Sequence, residues 1–140
     1  MSWVKRDSAV FINLTLEEIR QRYSESTPRR QFLYVRLQTV ARLLAETGQL
    51  RHLYVLGSFT TAKPIPGDLD CFVVMAAGFT TEHLTPPHLE VFQHDVCRLL
   101  YQTDVFWVTE AIAREHREAM LGVFSRNREG ASQPIIEVTL

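Results

Sequence analysis

The run Asp68-Leu69-Asp70-Cys71-Phe72-Val73-Val74-Met75 constrains this chain more than any other stretch. Leu69 to Met75 is apolar except at Asp70, rich in strand formers and preceded by Pro66-Gly67, so it predicts a buried strand. Side chains alternate along a strand, which puts Asp68 and Asp70 on the same face of the sheet that holds it. Two carboxylates a few ångströms apart repel by about 2–3 kcal/mol at an effective dielectric of about 20, a cost that needs a cation, a shared proton or ample water. Magnesium is the economical answer, because it takes oxygen ligands and binds through one or two carboxylates plus substrate phosphates. A solvated turn at Pro66-Gly67 would excuse Asp68, but Asp70 sits one step deeper in the apolar run.

The remaining pattern supplies partners for such a strand. Thr15 followed by Glu18 is a capping box that opens a short helix through about Tyr23. Thr27 with Pro28 opens a longer helix, whose Leu33, Leu37, Val40, Ala41 and Leu44 form one apolar stripe before Gly48. Arg29, Arg30, Arg36 and Arg42 are expected on its other, solvated surface. His52 to Leu56 reads as a buried strand, and Asp104 to Val108 as a third. Between the last two strands, Thr85-Pro86-Pro87 predicts the start of a helix carrying Leu89, Phe92, Val96, Leu99 and Leu100 on one face. Residues 110–121 look helical, Asn127 to Gly130 looks like a turn, and Pro134 to Leu140 looks like a final strand suited to a sheet edge. The predicted class is α/β (α+β), a mixed β-sheet packed by helices.

With 140 residues, 46% of them hydrophobic, the chain suits one domain with one core. Residues 1–8 are expected to be a loosely ordered N-terminus. The formal charge of −1 gives no signal for duplex DNA, but its distribution is uneven. Residues 1–56 carry nine basic and five acidic side chains, and residues 57–108 carry two and six. The acidity therefore collects around the strands that bear Asp68, Asp70 and Asp104. Cys71 and Cys97 form no C-x-x-C and lie in apolar runs, so buried free thiols are expected. With no signal-peptide core and no membrane-length apolar stretch, the expected location is the cytoplasm.

Asp104 opens an otherwise apolar strand, where strand propensity disfavours it. Gly57-Ser58 follows the first buried strand at the point where a turn can aim backbone N–H groups at an anion, although such a pair is more often only a tight turn. Taken together, Leu56-Gly57-Ser58, Asp68-Leu69-Asp70 and Asp104 resemble the nucleotidyltransferase superfamily that includes DNA polymerase beta and the minimal nucleotidyltransferases. More closely, residues 9–140 are similar to an uncharacterised bacterial branch of that superfamily. The shared runs are Thr15 to Arg20, Thr27 to Arg30, Gly57-Ser58-Phe59 with Lys63, Pro66 to Asp70, Asp104-Val105-Phe106, and Arg126 to Gly130.

The resemblance implies a minimal nucleotidyltransferase-like fold. It implies phosphate contacts at Gly57 and Ser58, metal binding by Asp68 and Asp70, and a metal-sharing, hydroxyl-activating role for Asp104. Lys63 lies between the halves of the site as a candidate phosphate contact, and a solvated loop lysine fits its place equally. The implied reaction is magnesium-dependent transfer of a nucleoside monophosphate from a nucleoside triphosphate to a protein or RNA acceptor, as in the antitoxin-like half of a two-protein system. A second reading is a non-catalytic module that keeps nucleotide or partner recognition. Larger members add a helical domain for the acceptor, and this chain does not, which leaves recognition to a partner or to a homo- or hetero-oligomer. The arginine-bearing helix is the expected recruiting surface. His83, His88 and His94 match no zinc-ligand spacing, and His116 lacks the second histidine of H-E-x-x-H.

Overall fold

In the computed structural model, residues 10–116 and 134–140 are described, and the first element is a strand that the short run Val10-Phe11-Ile12 does not by itself announce. β1 (Val10–Thr15) passes directly into α1 (Leu16–Ile19), which continues as a wider π-turn over Arg20–Ser24. The predicted capping box is present: Glu18 N–H donates to Thr15 Oγ1 at 3.2 Å, and Thr15 N–H donates to Glu18 Oε1 at 3.0 Å. α2 (Pro28–Glu46) is capped by Thr27 and stops at Gly48, whose φ of 71° is the left-handed conformation that glycine takes without strain. β2 (Leu50–Leu56), a 3₁₀ turn (Gly57–Thr60) and β3 (Leu69–Met75) follow. Then come α3 (His88–Val91), α4 (His94–Tyr101), β4 (Thr103–Thr109), α5 (Glu110–Glu115) and β5 (Pro134–Thr139).

The five strands make one mixed sheet in the order β1-β5-β2-β3-β4. β2 runs antiparallel to β3 and to β5, while β1–β5 and β3–β4 are parallel pairs. Alternation along each strand sorts the side chains onto two faces. On one face Leu53, Val55, Leu69, Cys71, Val73, Met75, Val105, Ile136 and Val138 pack with the apolar stripe of α2 and with Val91, Phe92 and Cys97. The other face carries a smaller cluster of Tyr54, Phe72, Val74 and Ile135 with Ala113 of α5. By the same alternation Asp70 and Asp104 point to this second face, opposite the one that packs on α2.

Three expectations need correction. Pro134–Thr139 is an interior strand, held between β1 and β2, because β1 pairs with it in parallel and takes the edge position. The helix expected after Pro86-Pro87 is two short helices, separated at Phe92-Gln93. Burial explains the break. Phe92 turns into an aromatic cluster with Phe79 and Trp107, and its carbonyl accepts from Trp107 Nε1 at 3.2 Å. α4 then buries Cys97 and leaves Leu99 80% exposed. Finally, Arg29 and Arg30 are not on a solvated helix face; Arg30 is 3% exposed. The expected N-terminal segment 1–8, the turn Asn127 to Gly130 and the helical stretch beyond residue 116 lie outside the described residues.

Candidate functional site

The site is built where β2, β3 and β4 meet their preceding or following loops. Leu56, the last residue of β2, pairs with Asp70, and Asp70 pairs in register with Asp104 on the neighbouring parallel strand. Register partners on adjacent strands lie about 4.8 Å apart with side chains on one face, so the two carboxylates stand side by side. Gly57 follows Leu56 with φ 80°. A Cβ there would overlap the Asp70 carboxylate and lie 3.2 Å from its Cγ. Both the backbone conformation and the close approach of Asp70 therefore require glycine at this position. Ser58 follows it, half-buried, in the 3₁₀ turn. The Thr60 hydroxyl donates to the Gly57 carbonyl at 3.0 Å and the Thr61 hydroxyl to the Ser58 carbonyl at 2.7 Å, which fixes the turn.

The loop from Phe59 to Gly67 is held by two arginines from the first turn of α2. Arg30 donates to the carbonyls of Tyr23 at 3.1 Å, Phe59 at 2.8 Å and Lys63 at 2.7 Å, and to that of Thr61. Desolvation depresses its pKa from the usual arginine value, as expected for a buried cation satisfied by carbonyl dipoles. Arg29 donates to the carbonyl of Pro66 at 3.1 Å and to that of Gly67, just before Asp68. Thr27 Oγ1 adds a bond to Pro64 O at 3.0 Å. The start of α2 thus positions both the Gly57-Ser58 turn and the head of β3. Lys63 takes part through its backbone carbonyl, and its side chain is exposed.

α4 supplies two residues that the sequence pattern did not single out as site residues. His94 and Arg98 are one helical turn apart and face the acidic strand ends. Arg98 Nη2 donates to Asp68 Oδ2 at 3.3 Å, and its Nε lies 3.8 Å from Asp104 Oδ1. His94 Nε2 lies 3.2 Å from the same Oδ1, and its ring packs on Phe106 at 5.0 Å. This is ion-pair distance without hydrogen-bond alignment, since His94 Nε2 and Asp104 Oδ1 are both shielded from solvent and neither has a hydrogen-bond partner. The available signal was the four-residue spacing of His94 and Arg98 on a helix leading into the Asp104 strand.

The acidic cluster is felt by its neighbours. Burial, then the nearby Asp70 charge, pushes the Cys71 thiol well above its ordinary value. Burial and Asp104 push Cys97 up to about 12. Both thiols are free, as expected, and stay protonated near neutrality, so neither is a thiolate ligand. His88 is taken by Glu46 at 2.8 Å, apart from His94, so the three histidines do not gather.

The donor set is hard oxygen, which suits magnesium rather than zinc. Among the described residues no group of three or more His, Cys, Asp or Glu side chains stands ready to hold a metal ion. Asp68 is drawn toward Arg98 instead. The residues that fit are Asp70 and Asp104, in register on one face, with the orphaned Oδ1 of Asp104 as a buried acceptor. Two carboxylates plus phosphate oxygens are an ordinary magnesium environment.

Among the described residues no helix is long and apolar enough to cross a membrane. No curated protein and no solved structure matches the chain. A family model does match over residues 8–139, spanning the capped N-terminal helices, the Gly57-Ser58 turn and all three aspartates. The chain therefore belongs to the family of unknown function DUF6932.

Proposed function

We propose that this chain is a magnesium-dependent nucleotidyltransferase that moves a nucleoside monophosphate from a nucleoside triphosphate to a protein or RNA acceptor. The observation that carries this reading is the placement of Asp70 and Asp104 as register partners on one sheet face, with Asp70 against Gly57 of the turn that closes β2. Magnesium held by Asp70 and Asp104 would offset the charge of the triphosphate. The opening N–H groups of the Gly57–Thr60 turn lack partners within the turn itself, and they are the phosphate contacts. Asp104 is the group that takes the acceptor's proton. The acceptor oxygen bonds to the α-phosphorus as the bond to the bridging oxygen breaks, the proton goes to the carboxylate, and pyrophosphate leaves with that bond's electron pair.

A second reading, a non-catalytic nucleotide- or partner-binding module of the same fold, is favoured by one observation: Arg98 engages Asp68 and approaches Asp104. One experiment separates the two. Magnesium with a triphosphate should raise the melting temperature of the wild type, because a ligand of the native state stabilises it, and Asp70→Asn should abolish that shift. Asp104→Asn should reduce the shift less than it reduces transfer of labelled nucleotide to lysate acceptors, which should fall by about a hundredfold or more. Binding without transfer in the wild type favours the module, and no shift with any common triphosphate defeats both readings.

A further inference from the structure

Arg98 is the one described cation within ion-pair distance of two of the candidate carboxylates. Its side chain is 58% exposed, whereas that of Asp104 is 14% exposed. The guanidinium is thus open to water on one side, while the carboxylate it approaches is largely withdrawn from it. Neither contact is tight: 3.3 Å to Asp68 and 3.8 Å to Asp104, with only the first a hydrogen bond. Arg98 therefore offsets part of the repulsion in the cluster without being locked into it. Beside it lies an open depression of about 550 Å³ lined by Asp68, Asp95, Arg98, Leu99 and Gln102.

We infer that Arg98, steadied by Asp68, competes with a divalent cation for Asp104 of the Asp70–Asp104 pair and, once displaced, pairs with the phosphates of the incoming triphosphate. The inference rests on the nucleotidyltransferase reading and deepens it by giving the site an order of events and a further substrate-binding residue. A dication that approaches the carboxylates meets the positive guanidinium first, so its affinity alone is lowered. A metal-triphosphate brings its own anion, and a planar guanidinium pairs with phosphate in the same forked manner as with carboxylate. Arg98 thus favours the metal-nucleotide over either component.

The test is a crossed pair of affinities measured on the full chain. Mn²⁺ alone, followed by its paramagnetic resonance, should bind Arg98→Gln about tenfold more tightly than wild type, the scale of one competing charge. Magnesium with α,β-methylene-ATP, followed calorimetrically, should bind the same variant about tenfold more weakly. Arg98→Lys should keep the weak Mn²⁺ affinity, because the charge remains, while losing part of the nucleotide affinity, because the fork is gone. Adding Asp104→Asn to Arg98→Gln should remove the gain for Mn²⁺. If wild type binds Mn²⁺ and Arg98→Gln binds it equally or less well, the inference fails and the metal reading stands. If Mn²⁺ binding tightens but nucleotide affinity is unchanged, the phosphate role fails. If neither protein binds Mn²⁺ or the nucleotide, the metal reading fails and takes the inference with it.

Discussion

Replacing Arg30 by methionine keeps much of the stem's packing and removes only the guanidinium. Five hydrogen bonds are lost, from Nε and both terminal nitrogens to the carbonyls of Tyr23, Phe59, Thr61 and Lys63. An acceptor left unsatisfied in the interior costs about 1–3 kcal/mol. The Phe59 bond is fully buried and the others are partly buried, so water can recover some of those carbonyls but not all. Weighing one full penalty and three partial ones gives a loss of about 3–5 kcal/mol, or about 10–17 °C in melting temperature for a chain of this size. The loss should be local as well as global. Amide exchange should accelerate first in the segment from Phe59 to Gly67, and triphosphate binding should weaken because the Gly57-Ser58 turn is no longer held from behind. Arg30→Lys should fall between, since one ammonium cannot reach all four carbonyls. Denaturant unfolding and hydrogen exchange read both effects. An Arg30→Met chain within about 0.5 kcal/mol of wild type would show that the loop holds itself, and would refute the assignment of Arg30 as its anchor.

Gly57→Ala should cost about 1–2 kcal/mol from the left-handed backbone alone and should also displace the Asp70 carboxylate, so nucleotide binding should fall more than stability does; equal binding by the variant would disprove the close approach. Both thiols should resist a disulfide reagent at pH 8 in the folded chain and react fully in denaturant, since burial holds them protonated. Because Cys97 is raised in the folded state, stability should be unaffected by this group below the ordinary thiol value near 9 and should decline as pH climbs from there toward about 12. Reversal of Arg36 and Arg42 to Glu should change stability by no more than about 1 kcal/mol, because Arg36 only stacks over Phe32 and Arg42 pairs with Glu46 in solvent. The same reversal should disrupt capture of a protein or RNA partner, and unchanged capture would remove this helix as the recruiting surface.

Much of the architecture was legible from local pattern because local physics decides it. The Thr15–Glu18 capping box, the Thr27-Pro28 start, the apolar stripe of α2 and the strand Leu69–Met75 depend on neighbours within a few residues, and all stand where their spacing places them. The direction of Asp70 is equally a property of the strand itself, whereas Asp68, expected on the same face, lies in a bend before the strand begins. The parts that were not legible depend on distant residues. Val10–Thr15 is a strand only because Pro134–Thr139 arrives beside it, and that arrival makes the last strand interior rather than an edge. The helix after Pro86-Pro87 breaks where it does because Phe92 has Phe79 and Trp107 to pack against.

The same division runs through the candidate site. Gly57, Ser58, Asp68, Asp70 and Asp104 are visible as violations of strand propensity or as turn chemistry, so the sequence by itself names the acidic residues and the turn beside them. Only the tertiary structure decides that Asp70 and Asp104 are register partners, that Asp70 closes on Gly57, and that Arg98 and His94 reach the carboxylates from α4. It also turns Arg29 and Arg30 from members of a charged helix face into anchors of the loop. The physical reason is common to all of these. Periodicity fixes the direction of a side chain relative to its own element, but the partner that satisfies a buried charge is chosen by the packing of elements far apart in the chain.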